Sequence, residues 1–119
     1  MDVSTQLSPG GSLVALVKLP AGQLERALVQ KELSQILAKK PKHLLLDLSQ
    51  VTRIDSRGVS ALVWARRACA VADCHLKLCG LGERAKLVLK VTRLDSLFET
   101  YPSVEVALKN LSDAYKGDG

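Results

Sequence analysis

The chain has 119 residues, 47% of them apolar and 24% charged, with a net charge of +5. These values describe one globular domain that buries about two-thirds of its surface without a disulfide or metal staple, and they exclude a disordered chain. No apolar run approaches the ~20 residues of a membrane-spanning helix.

Met1-Asp2-Val3-Ser4 lacks the basic flank and apolar stretch of a secretory signal. Together with three cysteines, an odd number, this leads us to expect a cytoplasmic protein. One Trp, one Phe and two Tyr leave few platforms for stacking on nucleic-acid bases. The basic residues are dispersed apart from Lys39-Lys40-Pro41-Lys42 and Arg66-Arg67, as on solvated faces, so no nucleic acid partner is expected.

In chain order, Val3, Thr5 and Leu7 alternate with polar residues in an edge-like strand. Pro9-Gly10-Gly11 marks a turn, and the apolar run from Leu13 to Leu19 pairs back as a hairpin. Residues 23 to 40 read as a helix with Val29, Leu33, Ile36 and Leu37 on one face, and Pro41 stops it. Leu24 and Leu28 fall off that stripe. Leu44-Leu45-Leu46-Asp47-Leu48 is apolar on both faces, as in a buried parallel strand.

A second helix runs from Gly58 to about Val71, with Val59, Leu62, Val63, Cys69 and Ala70 as its apolar stripe. Arg66 falls on that stripe and needs a partner or a route to water. A strand follows from about His75 to Cys79. Residues 83 to 91 form a third helix offering Leu87, Val88 and Val91 to the core. Leu97 to Tyr101 is a short strand, and Pro102-Ser103 opens a last helix carrying Val104, Leu108, Leu111 and Tyr115. Residues 116–119 should fray. The order ββαβαβαβα predicts an α/β domain over residues 1–119, core about 3–115, with a mixed four- to five-stranded sheet and about four helices.

The candidate site is Asp55-Ser56-Arg57-Gly58, where a strand region meets a helix N-terminus. The first backbone N–H groups of a helix lack internal partners and carry the positive end of its dipole. A serine there either caps the helix or accepts a phosphate that the helix terminus stabilises. Asp55 can equally be the cap and leave Ser56 free. Gly58, without a side chain, would let a partner's loop or a phosphate come close.

The stretch from Leu44 to Val59, an apolar strand ending in Asp47-Leu48, a short loop and then Asp55-Ser56-Arg57-Gly58, resembles the core motif of STAS domains. More narrowly it resembles that of the bacterial anti-sigma factor antagonists. Leu76-Lys77-Leu78, Gly82 to Leu89 and Val91 to Phe98 resemble the family's later elements, and the likeness extends from about residue 12 to 111. It implies a STAS-type fold and regulation by partner switching. The partner implied is an anti-sigma factor that is also a serine kinase of the histidine-kinase-like ATPase fold. Phosphorylation of the motif serine, here Ser56, releases it, and a serine phosphatase resets the cycle.

The sequence departs from the family pattern in two places. Many antagonists carry Gly-Glu-Leu-Asp after the second strand, where this chain has Gly22-Gln23-Leu24 and the Asp is absent. Arg93 stands where the family usually has glycine, at a cost of roughly 1 kcal/mol if the backbone there is left-handed.

On the helix after Ser56, a 100° repeat gathers Arg57, Ser60, Ala61, Trp64, Arg67, Ala68 and Val71 opposite the apolar stripe. Trp64 is therefore expected on the exposed side, flanked by arginines, as an interface hot spot. The expected partner-binding set is Asp55, Ser56, Arg57, Gly58, Ser60, Trp64 and Arg67. Cys69, Cys74 and Cys79 lack the close Cys pairs of zinc sites and read as buried thiols, so no metal is expected. His43 and His75 open predicted strands and read as structural. There is no G-x-S-x-G turn and no Gly-rich phosphate loop, so neither an enzyme nor a cofactor is expected.

The reading that follows is a non-enzymatic regulatory protein, monomeric when free and not membrane-inserted. The alternative is a STAS subunit of an ABC-type lipid transporter, bound to its ATPase without a phosphate switch. A nucleotide-binding STAS module is a third, weaker reading.

Overall fold

Strand β4 (His43–Asp47) is apolar on both faces, and the fold is arranged around it. In a computed structural model, which describes the backbone of residues 1–117 and the side chains of residues 1–111, it lies between two parallel neighbours. These are β2 (Leu13–Lys18) and β6 (His75–Cys79). β1 (Asp2–Leu7) pairs antiparallel with β2 at one edge, and β7 (Glu99–Tyr101) pairs parallel with β6 at the other. The sheet order is β1-β2-β4-β6-β7, a mixed five-stranded sheet within the four to five strands predicted. Central strands read as continuous apolar runs because helices cover both their faces.

The covering layers are unequal. Helices α1 (Arg26–Leu37), α2 (Ser56–Val71) and α3 (Glu83–Val91) contribute Val29, Leu33, Leu62, Ala65 and Leu89 to the main core, where they meet Leu44, Leu46 and Leu78. The opposite face carries α4 (Val104–Gly117), whose Ala107 and Leu111 cover Val14, Leu45 and Cys79. α4 continues through Lys116 and Gly117, where the sequence points to a frayed end. Residues 118–119 and the Tyr115 side chain lie outside the described residues.

Several elements differ from expectation. α1 begins at Arg26 rather than residue 23, because Gly22–Gln23 forms a short strand, β3, paired parallel with β5 (Val51–Arg53) in a separate two-stranded ribbon. Leu24, off the helical stripe, is buried beside that ribbon's end as part of the main core. The stretch expected as a strand from Leu97 opens instead as a 3₁₀ turn over Asp95–Leu97, and pairing starts only at Glu99. Ala70, placed on the α2 stripe, is exposed, and Ala61 and Ala65 are buried in its stead.

At the strand starts, His43 and His75 face each other in register and stack with ring centroids 5.4 Å apart. They occupy the α4 side of the sheet together with Lys77, which is 3% exposed and paired with Glu99. A buried ammonium persists only with such a partner. Burial, and then the positive charges of Lys77, His75 and Lys42, bring the pKa of His43 down to about 4. The unfolded imidazole takes up its proton near 6.5. Protons therefore favour the unfolded chain, and stability falls as pH drops from about 6.5 towards 4. Urea unfolding should show this loss between pH 7 and 5, and His43→Gln should flatten the dependence over that interval.

Helices α1, α2 and α3 are each followed by a non-glycine residue in the left-handed region: Lys40 (φ 56°), Asp73 (φ 56°) and Arg93 (φ 61°). At Arg93 the backbone has the left-handed geometry that the family's usual glycine would suit. Replacing Arg93 with glycine should raise the unfolding free energy by about 1 kcal/mol, since glycine enters this region without a Cβ clash. Chemical denaturation of Arg93→Gly checks the sign.

Candidate functional site

Asp55 is the N-cap of α2, in extended backbone geometry. Its Oδ1 accepts the backbone N–H of Arg57 at 2.9 Å and of Gly58 at 3.1 Å. Its Oδ2 accepts the side-chain amide of Gln23 at 2.6 Å, which ties the cap to β3. Hydrogen bonds from the Gly58 and Arg57 amides hold the Asp55 carboxyl below the usual carboxylate range.

The capping role is therefore filled by Asp55. Ser56, the first residue of α2, is exposed, and no described residue hydrogen-bonds its hydroxyl. The hydroxyl stands at the positive end of a 16-residue helix. Arg57 is exposed beside it.

Gly58 has a different role from the one its sequence position suggests. It is buried, and an added Cβ would stand 3.1 Å from Ile54 Cγ2 and 3.3 Å from Leu24 Cβ. The missing side chain admits Ile54 and Leu24 of the same chain.

The outer face of α2 is less open than a helical wheel implies, because α1 packs along α2. Ala61 is fully buried, and Trp64 is half-buried against the main core. Ser60 is half-buried and accepts Arg26 Nη1 of α1 at 2.9 Å. Arg67 remains exposed. Trp64 is thus a packing residue with one accessible side, and its truncation opens the core as well as the surface. Arg66 finds its partner in the Leu97 carbonyl at 2.9 Å.

The site's open wall comes from α3. Leu87 is 59% exposed and Val91 is 73% exposed, although the sequence offered both to the core; Ala85 and Leu89 are buried instead. Leu87, Val88 and Arg84 face Thr52, Arg53, Ile54 and Asp55 across an open groove, with Gln23 at its end. The groove begins at the residue before Ser56, has an apolar α3 wall and carries two arginines. Arg53, Arg84, Leu87 and Val88 are the site residues that sequence reading missed. The signal available was the apolar set Leu87, Val88 and Val91 on a nine-residue helix, of which Leu87 and Val91 are exposed and Val88 is half-buried.

Among the described residues, no helix is long and apolar enough to cross a membrane, and no group of three or more His, Cys, Asp and Glu side chains is placed to hold a metal ion.

Comparison with known proteins places this geometry in context. Residues 25–107 match the family model described as STAS domain. An anti-sigma factor antagonist from Mycobacterium paratuberculosis is similar, with 23% identity over 91% of this chain and 92% of the other and a TM-score of 0.69. An anti-sigma-factor antagonist (STAS) domain protein from Planctomyces limnophilus has 22% identity over 94% and 99%, with a TM-score of 0.68. A sulfate transporter family protein from Wolinella succinogenes has 20% identity over 91% and 93%, with a TM-score of 0.72.

The cap can be tested directly. Asp55→Ala should lower the melting temperature, whereas Asp55→Asn, which keeps one capping oxygen, should preserve most of it at neutral pH. The depressed pKa means that the ionised cap stabilises the fold above the unfolded value near 3.9, and that this contribution disappears as pH falls below it through the folded value. The wild-type advantage over Asp55→Asn should therefore shrink on acidification below about pH 4 in paired thermal melts.

Proposed function

The chain belongs to the STAS domain family, and we propose that it is an anti-sigma-factor-antagonist-type regulator whose partner is released by phosphorylation of Ser56. The observation that carries the reading is the division of labour at the start of α2. Asp55 satisfies the helix terminus and leaves the Ser56 hydroxyl exposed and uncommitted beside the groove. A serine acting as the cap would have to surrender that bond on modification.

The partner proposed is an anti-sigma factor with serine kinase activity of the histidine-kinase-like ATPase fold, with a serine phosphatase as the resetting enzyme. The protein acts by binding, in the cytoplasm, and has no catalytic role of its own. Its docking surface comprises Asp55, Ser56, Arg57 and Arg67, extended by Arg53, Arg84 and the exposed α3 residues Leu87 and Val91. Gly58, Ser60 and Trp64 support this surface from within.

Phosphorylation adds about −1.5 to −2 charges and three acceptor oxygens at pH 7. A kinase surface fitted to a neutral hydroxyl meets that group with charge repulsion and a steric clash worth several kcal/mol. The switch thus needs no rearrangement of the domain. Inverting a bound population from 99:1 to 1:99 takes about 5.5 kcal/mol of differential affinity.

The transporter reading makes the opposite prediction, since a permanent complex with an ABC ATPase has no use for a modifiable serine. Wild-type, Ser56→Ala, Ser56→Glu and Leu87→Ser proteins serve as baits in lysate of the native host. The first two should retain a histidine-kinase-like ATPase. Ser56→Glu should weaken its binding by about 100-fold, a difference of roughly 3 kcal/mol, and Leu87→Ser should reduce recovery while the protein stays folded. Recovery of an ABC ATPase by the wild type, with no kinase in any sample, would move the protein to the transporter class.

A further inference from the structure

The far end of α2 is closed by a hydrogen-bond frame that brings two thiols together. The Cys74 backbone N–H donates to the Cys69 carbonyl at 2.8 Å, and the Asp73 N–H donates to the Ala70 carbonyl at 3.2 Å. Asp73 between them is left-handed. This pair of nested bonds characterises a helix C-terminus in which the first and sixth residues of the frame also touch through their side chains.

The end of α3 uses the same frame. Leu94 N–H donates to the Leu89 carbonyl at 2.8 Å, and Arg93 N–H donates to the Lys90 carbonyl at 3.1 Å. There the touching positions are two leucines, which pack in the main core. On α2 they are cysteines, each of them the largest electrostatic influence on the other's thiol. Both thiols are free. Both also line an open cleft whose other walls include Lys42, Arg66, His75 and Glu99. Cys69 and Cys74 are buried, and the cleft that both line is the route by which an oxidant in solvent reaches two cysteines joined by the 2.8 Å backbone bond.

We propose that Cys69 and Cys74 form a redox site, in which a peroxide entering this cleft converts the two thiols into an intramolecular disulfide that a dithiol reductant reopens. The Cys74 thiolate attacks one peroxide oxygen. The O–O bond breaks, hydroxide leaves and takes up a proton as water, and Cys74 becomes a sulfenic acid. The Cys69 sulfur then attacks the Cys74 sulfur. The S–O bond breaks, and the departing hydroxide leaves as water with the Cys69 proton. Two thiols lose two electrons to one peroxide, and two waters form.

The order of events follows from the environment. The neighbouring Cys69 thiol, aided by the charge of Lys77, lowers the pKa of Cys74, while Cys74 and burial push that of Cys69 up. The thiolate is the nucleophile, so Cys74 reacts first. Cys79 lies on the opposite face of the sheet under α4, where burial raises its pKa to about 12. It is the internal control.

Tryptic digestion suits the test, since residues 68–77 form one peptide containing both cysteines, and Cys79 falls in the next. The folded wild-type protein is treated with hydrogen peroxide, denatured, labelled with N-ethylmaleimide and digested. Peptide 68–77 should emerge unlabelled and lighter by two hydrogens, with Cys79 still labelled, and dithiothreitol before labelling should restore two labels to 68–77. In Cys69→Ala, dimedone should trap a sulfenic acid on Cys74. Two labels on 68–77 after peroxide, oxidation of Cys79 ahead of the pair, or disulfides only between chains would overturn the proposal. The wild-type experiment stands alone if the variant does not fold.

Discussion

One carboxylate organises the candidate site of this molecule. Asp55 accepts two backbone amides of α2 through one oxygen and the Gln23 amide through the other. The first pair ends the helix and fixes where Ser56 stands. The second ties α2 to the β3–β5 ribbon, which forms one wall of the adjoining groove. With the cap filled by Asp55, Ser56 stands exposed, and no described residue hydrogen-bonds its hydroxyl.

The helix that begins at this cap reaches across the domain to a different kind of closure. At its start the backbone groups are satisfied by an acidic side chain, and at its end by the backbone N–H groups of the left-handed Asp73 and of Cys74. Between the two, small residues at Ala61 and Ala65 let the helix lie close against its neighbours. Both ends meet solvent, through the groove and the cleft respectively. The middle is fixed by packing, which suits a switch that works by altering a surface group on a rigid body.

Much of the fold was legible in the sequence because its central elements are strongly written. β4 is apolar on both faces, β6 begins and ends where its run does, and α3 has the bounds its periodicity indicates. The Asp55–Gly58 segment stood out for the same reason, at a junction of two clear elements. The β3–β5 ribbon was not legible. Strands of two and three residues have no periodicity, and this pair is held by backbone bonds and the Gln23 amide. Nor could the sequence assign the faces of α3. Leu87 and Val91 are as apolar as Leu89, and only the placement of α3 beside β5 shows which of them meets water. Trp64 failed in the opposite sense. A helical wheel cannot show that α1 comes down over that side of α2.

The central claim is that Ser56 is a phosphoacceptor, and the direct measurement is phosphosite mapping of the protein purified from its native host under growth and stress conditions. The account predicts phosphate on the segment from Ile54 to Arg57, carried by Ser56, in a fraction that changes with condition. An unmodified Ser56 in every condition, or phosphate confined to other residues, would contradict it.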